Sequence, residues 1–346
     1  MKRLFFYLTC SICILFLGCA SSRTFVRYST ADMPFTLDVV KGSRQTVLTQ
    51  TLPWEEQMMG YFKVLKLGSD KWQMWYSSWD NRRKDDYSDY LVYAHSTDGE
   101  HWIKEVPGQP NNILRGTGHP QKDGIVEQDV FIEPAAVYPY KMIYTAKDST
   151  DKFREKTFIE ESKDGLHWVN KRVLWNEKHD SQFSVIRRDN RYYIYLRHWE
   201  MQNNIRYRTI GLAVTDINWN TLVAPHNILT ADFSSDFPHL YNPAAANVSA
   251  DLDVLFPTFF NEKNNAIKFG LAYMYKGQPI LTSVDLTSAL LDGAQANWGI
   301  VAPGLVAAGK DTYWLYYYAT NMVHSDYDKG GRKFSYYRVK LRLKEK

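Results

Sequence analysis

Five times along this chain a strand-like apolar run is followed by a short polar turn and then by a run rich in Tyr, Trp and β-branched residues. The clearest copy is residues 179–197, HDSQFSVIRRDNRYYIYLR. Its first half alternates through Phe183, Val185 and Ile186. Arg188-Asp189-Asn190-Arg191 is turn chemistry, because Asp and Asn accept the left-handed backbone of a tight reversal. Tyr192-Tyr193-Ile194-Tyr195-Leu196 has the composition of a strand buried on both faces. The other copies lie at 61–76, 130–144, 244–256 and 304–316, and the second runs end at Tyr76, Tyr144, Tyr195, Phe256 and Tyr316, spaced by 68, 51, 61 and 60 residues. A recurring unit of this size is a small sheet that buries its faces against its neighbours, the mark of a repeat architecture.

A second marker tracks the first. Ser96-Thr97-Asp98-Gly99-Glu100-His101-Trp102 and Ser162-Lys163-Asp164-Gly165-Leu166-His167-Trp168 are one motif, 66 residues apart, and Thr215-Asp216-Ile217-Asn218-Trp219 is a shortened third copy. Asp-Gly supplies the tight turn and the Trp returns to cover the sheet. No long stretch keeps apolar residues at helical spacing. The expected fold is therefore all-β, a five-bladed β-propeller over residues 51–346, with two central and two outer strands per blade. A long β-sandwich is the competing fold, but it does not call for a turn-and-Trp motif in successive units.

Residues 1–18 read as a lipoprotein signal peptide: Met1-Lys2-Arg3 precedes an apolar run too short and wrongly flanked for a membrane span. The run ends in Leu17-Gly18-Cys19, which resembles a bacterial lipobox and implies lipid on Cys19. Cleavage near Ala20 without an anchor is the alternative. Residues 19–50 read as a tether and a lead-in or outer strand. The expected location is the cell envelope, anchored to a Gram-negative outer membrane and facing the periplasm, since no acidic run follows Cys19. All three cysteines, Cys10, Cys13 and Cys19, lie in or at the end of this leader, so the body holds neither disulfide nor thiolate metal site. The net charge of +4 is scattered, without a basic stripe, which argues against nucleic acid as a partner. The expected state is a monomer.

In a propeller the residues just before each innermost strand converge on one mouth of the axial channel. Those entries hold Trp54-Glu55-Glu56-Gln57, Glu127-Gln128-Asp129, His179-Asp180, the run Asp236-Phe237-Pro238-His239-Leu240-Tyr241-Asn242, and Asn297-Trp298-Gly299. Four of the five carry a carboxylate. Clustered carboxylates suit glycoside hydrolysis, in which one carboxyl group protonates the leaving oxygen and another activates water or attacks the sugar carbon. Crowding like charges raises one pKa, so acid and base coexist near neutral pH. Trp54 and Trp298 are candidate stacking platforms. Glu127 and Asp129 share a face if strand alternation holds. His179, His239 and Arg197 are candidate substrate contacts.

The repeated Ser-x-Asp-Gly-x-His-Trp motifs, with the Tyr-Tyr-x-Tyr-Leu strands, resemble the five-bladed glycoside hydrolases of families 43 and 32 and their unclassified relatives, over roughly residues 50–340. The resemblance implies a base or nucleophile from blade one, an acid-tuning Asp from blade three and a general acid from blade four. By position these fall on Glu56, Asp180 and Asp236. Asp236-Phe237-Pro238-His239 is similar to the Glu-Gly-Pro-His that carries the acid in family 43, with Asp for Glu, and blade one has Glu where those families have Asp. The family 32 signatures Asn-Asp-Pro-Asn-Gly and Arg-Asp-Pro are absent. The implied activity is a glycosidase on a plant, algal or host glycan, with no organic cofactor; a structural calcium on the axis stays open. A non-catalytic glycan-binding lipoprotein, or a polysaccharide lyase or phosphorylase on the same fold, are the alternatives, with Arg197 and His198 the local hint of phosphate binding.

Overall fold

A computed structural model describes residues 25–80, 88–116, 125–148, 150–152, 154–177, 179, 183–291, 297–323 and 331–346. Cys19 and Asp180 lie outside the described residues, as does the side chain of Glu127. The described chain is nearly all β-strand, in sheets that pack in a propeller-like ring.

Blade one runs from the strand Met58–Lys66 through Trp72–Asp80 to Ser88–Ser96, with Trp102–Ile103 and Ile113–Arg115 on its outer edge. Blade two is Ile125–Ile132, Tyr140–Asp148, Arg154–Ser162 and Trp168–Trp175. Blade three is Phe183–Arg188, Arg191–Gln202, Ile205–Asp216 and Thr221–Leu229. Blade four breaks its inner strand into His239–Tyr241 and Ala245–Asn247, which pair with Thr258–Asn261 and Leu252–Leu255; Ala266–Tyr275 and Gln278–Asp285 complete it.

The structure shows four blades rather than the five expected, and the remaining sheet is built differently. Four blades are each built from one continuous stretch, whereas the last sheet joins both ends of the described chain. Its strands Trp298–Val301, Val306–Gly309, Thr312–Thr320 and Phe334–Glu345 are completed by Phe25–Arg27, Phe35–Val40 and Gln45–Thr49. Phe35–Val40 pairs antiparallel with the last strand, Leu37 opposite Leu343. Part of the stretch read as tether and lead-in is thus sheet. Hydrogen bonds between the two ends close the ring, which an outer strand of a single repeat would not do. The basic tail is that closing strand, with Val339, Leu341 and Leu343 each 1% exposed.

Separate buried cores lie between successive sheets. One packs blade one on blade two around Trp75, Tyr93 and Tyr140, and another packs blade two on blade three around Phe131, Tyr192 and Trp219. The recurring Tyr is part of this packing. Tyr76, Tyr144, Tyr195 and Tyr316 are all buried, and their hydroxyls donate to Glu55, Glu160, Asp253 and the Gly99 carbonyl. A buried hydroxyl without such a partner would cost about 1–3 kcal/mol.

The Asp-Gly motif locks one sheet to the next. Asp98 Oδ1 accepts from the backbone N–H of Glu100 (2.7 Å) and His101 (2.8 Å); Asp164 repeats this with Leu166 (2.8 Å) and His167 (2.9 Å). The turn carbonyl then receives a donor from the preceding sheet: Tyr316 Oη to Gly99 O at 2.8 Å, and Trp75 Nε1 to Gly165 O at 2.7 Å. In the shortened copy, Trp219 stacks on Tyr192 at 4.2 Å and lies 5.7 Å from Phe131 of blade two.

Candidate functional site

The inner strands begin at one face of the ring, and the residues singled out from the sequence distribute unevenly over it. Between these strands is a narrow axial cleft of ≈ 10 Å³, lined among others by Phe62, Gln128, Phe183, Asn242, Val301 and Tyr318. Its lining among the described residues contains no carboxylate. The inner strand of blade two bulges: Val126 pairs with Thr145 and Asp129 with Ile143, so Glu127 and Gln128 together face the single residue Tyr144. Blade one does the same where Tyr61 and Phe62 face Tyr76. The simple alternation expected to set Glu127 and Asp129 on one face is therefore interrupted.

Asp129 is fully buried, with Lys63 Nζ 2.8 Å from Oδ1 and the Val185 amide donating to Oδ2 at 2.8 Å. Burial raises its pKa, and the Lys63 ammonium opposes that shift. It ties blades one, two and three together rather than facing a sugar. The Asp129 carboxylate thus has an ammonium against it, and no group of three or more His, Cys, Asp or Glu gathers among the described residues.

At the blade-one entry, the 3₁₀ turn Pro53–Glu55 divides two neighbouring acids. Glu55 is buried, accepting from Tyr76 Oη (2.7 Å) and Lys104 Nζ (2.6 Å). Glu56 is exposed, held only through its backbone, where its carbonyl accepts from Gln50 Nε2 at 2.7 Å. Trp54 donates its indole N–H to Asn112 Oδ1 at 2.9 Å and packs on the blade-one core. Trp298 is 2% exposed and meets Tyr241 and Phe260 edge to face, so it is a packing residue here and not a platform. His179 is buried beside Trp175 and His198; burial first, then the His198 charge, lowers its pKa to about 4.

The densest set of polar and aromatic groups sits where blade three meets blade four. The strands Arg191–Gln202 and Ile205–Asp216 pair along their full length, and burial fades beyond Arg197, so the end of this hairpin projects from the entry face. Asn203 and Asn204, with φ of 51° and 61°, form the two-residue turn. On the projecting part, Trp199 lies opposite Arg208, with the guanidinium carbons of Arg206 and Arg208 at 3.8 and 4.7 Å from its ring centroid. Arg197 and Arg208 also lie 4.6 and 4.7 Å from the Tyr241 ring.

His239, 3% exposed, accepts the Arg208 backbone N–H on Nδ1 at 3.2 Å. That bond requires an unprotonated Nδ1 and places the ring proton on Nε2, which faces Glu262 Oε1 at 3.4 Å. Burial lowers the His239 pKa, with Glu262 opposing and Arg208 adding to the shift. Glu262 also takes the Arg208 Nη1 bond at 3.0 Å, and its side chain remains 56% exposed. Asp236 is exposed three residues before His239, at the end of a turn in which the Ser235 amide donates to Asp232 O at 3.0 Å.

Of the residues expected at one mouth, Arg197 and His239 come to this region, with Asp236 three residues before His239 in the chain, while Asp129, Trp54 and Trp298 serve packing or blade-to-blade contacts. Trp199, Arg208 and Glu262 were not singled out, and Tyr241 stood only within the blade-four entry run. The sequence did carry a signal for part of this: the Tyr-Leu strand continues as Arg-His-Trp past its expected end. Glu262 sits in an ordinary Asn-rich hairpin turn, which is silent.

No protein-family model and no curated protein matches the chain. Solved structures do. The catalytic domain of a family 62 α-L-arabinofuranosidase from Coprinopsis cinerea aligns over 85% of this chain and 95% of its own, at 9% identity and a TM-score of 0.56. A family 117 glycoside hydrolase from the marine bacterium Zobellia galactanivorans aligns over 86% and 89%, at 15% identity and a TM-score of 0.52. An N-acetylgalactosamine deacetylase from F. plautii, solved with blood group B trisaccharide, aligns over 86% and 94%, at 13% identity and a TM-score of 0.55. At these identities the likeness is one of fold: the chain has the propeller architecture on which those carbohydrate-active enzymes are built.

Proposed function

We propose that this chain is a glycosidase that cleaves a glycosidic bond in a plant, algal or host glycan, without an organic cofactor. One observation carries the reading: the exposed carboxylate of Glu262 lies against the buried His239 and against Arg208, beside Trp199 and Tyr241, and the exposed Asp236 precedes His239 by three residues in the chain. Exposed carboxyl groups beside aromatic surface and fixed cationic donors supply what sugar chemistry needs, a proton donor and a way to hold hydroxyl groups. In the proposal Asp236 protonates the leaving oxygen, Asp180 tunes it, and Glu56 serves as base or nucleophile. Arg197, Arg208 and His239 orient the sugar. The membership nearest families 43 and 32 belongs to the same proposal and rests on the repeated motifs. So do lipidation of Cys19, the periplasm-facing anchor and the monomeric state; palmitate labelling lost in Cys19→Ala and size-exclusion chromatography test them.

A second reading, a non-catalytic glycan-binding lipoprotein, is favoured by the absence of a carboxylate among the described residues lining the axial cleft. The test is a panel of plant, algal and host oligosaccharides with product analysis, on wild type and on Asp180→Asn and Asp236→Asn. A glycosidase releases sugar and loses that activity in the variants. A binding module retains oligosaccharide and releases nothing.

A further inference from the structure

We infer that a second, distal sugar-binding subsite lies in the groove between the tip of the blade-three hairpin and residues 230–234; this rests on the glycan-acting reading above. The groove is open, ≈ 520 Å³, and is lined by Gln202, Asn203, Tyr207, Asp232, Phe233 and Ser234 among others. Its chemistry is mixed in the way that carbohydrate recognition requires. Gln202 and Asn203 place exposed side-chain amides at the hairpin turn. Opposite them, Asp232 Oδ1 is fixed by the Ser234 amide at 2.9 Å and hydroxyl at 2.7 Å, which keeps an oriented carboxylate at the wall. Amides and a carboxylate read sugar hydroxyls, and an aromatic ring takes the apolar C–H face of a pyranose or furanose.

The ring is Phe233. It stacks on Tyr207 at 4.3 Å with 24° between planes, and Tyr207 stacks in turn on His239 at 5.5 Å and 29°. His239 is buried at the mouth, whereas Tyr207 and Phe233 are only half-buried. Three parallel rings therefore step from the proposed reaction centre to the groove, Phe233 being the outermost. A chain bound with one sugar beside His239 and Glu262 has its continuation directed along this ladder. The ligand class is an oligosaccharide or polysaccharide segment longer than the unit cleaved.

The full chain and its Phe233→Ala and Gln202→Ala variants are compared on arabinoxylan, rhamnogalacturonan and agarose oligosaccharides, from disaccharides to octasaccharides, by hydrolysis kinetics and by affinity electrophoresis in the parent polysaccharides. Loss of the ring raises KM about tenfold for the longer members, the scale of one lost stacking contact, and leaves kcat and the shortest substrate unchanged. Gln202 is exposed at a turn, so its variant keeps the test available if Phe233→Ala does not fold. Hydrolysis with the same chain-length dependence in both variants overturns the subsite and leaves the glycosidase intact. Retention without hydrolysis, weakened by either variant, supports the subsite and overturns the glycosidase. Neither hydrolysis nor retention by wild type overturns both.

Discussion

Lys63 Nζ lies 2.8 Å from Asp129 Oδ1 between the inner strands of blades one and two, with side chains 8% and 0% exposed. The Val185 amide of blade three completes the contact at 2.8 Å. An ion pair at this depth offsets its own desolvation only while both partners are present. Replacing one partner, as Asp129→Leu or Lys63→Met, is expected to lower stability by about 3–5 kcal/mol. The double variant is expected to cost less than the sum. Denaturant titration of the four proteins checks it, and strict additivity would refute the coupling.

The Asp-Gly turns make a second contrast. A Cβ on Gly165 would sit 2.6 Å from Cζ2 of Trp75, at φ +80°. Trp75 is 0% exposed and its indole is bonded to the Gly165 carbonyl, so it has nowhere to move. Gly165→Ala is expected to cost about 2–4 kcal/mol, left-handed strain plus overpacking. Gly277 has a similar φ of +77° but nothing within 4 Å of its Cβ, so Gly277→Ala carries strain alone, about 1–2 kcal/mol. Thermal unfolding of both variants separates the terms; equal losses would rule out the clash.

His179 links stability to pH. Its pKa falls from 6.5 to about 4 because burial, with the nearby His198, disfavours the imidazolium. Between those values the unfolded chain binds more protons than the folded one, so stability falls as pH drops through this window and is unaffected above it. The full contribution is on the order of 3 kcal/mol. His179→Gln is expected to flatten the stability curve between pH 6.5 and 4. A curve as steep as wild type would place the acid sensitivity elsewhere.

On the proposed chemistry, Asp236→Asn is expected to lower kcat by roughly 10²–10⁴-fold without loss of fold, since the side chain is exposed. Glu262→Gln keeps the size of the group but removes the charge paired with Arg208 at 3.0 Å. Its expected effect is a rise of about tenfold in KM with a smaller change in kcat, because it positions Arg208 and His239. Steady-state kinetics on a hydrolysed glycan check both. Unchanged kcat in Asp236→Asn would exclude that residue as the acid.

Short-range features are legible in the chain itself. The Ser-x-Asp-Gly-x-His-Trp turn closes its own hydrogen bonds within seven residues, from Ser96 to Trp102, so side-chain chemistry alone specifies it. The Tyr-Tyr-x-Tyr-Leu strands announce themselves by composition, and their spacing announces the repeat. What those letters could not decide is which distant group each side chain meets. Glu55 and Glu56 are adjacent and chemically alike, yet a single 3₁₀ turn buries one against Tyr76 and Lys104 and leaves the other in solvent. One extra residue opposite Tyr144 disrupts the alternation that was to aim Glu127 and Asp129 together. Ring closure by Phe35–Val40 on Phe334–Glu345, and the meeting of Arg208 with His239 and Glu262, depend on sheet order around the axis. The sequence by itself determined the strands, the turns and their period, because those interactions reach only a few residues. The tertiary structure decided the site, because its contacts span tens of residues and depend on how the sheets pack.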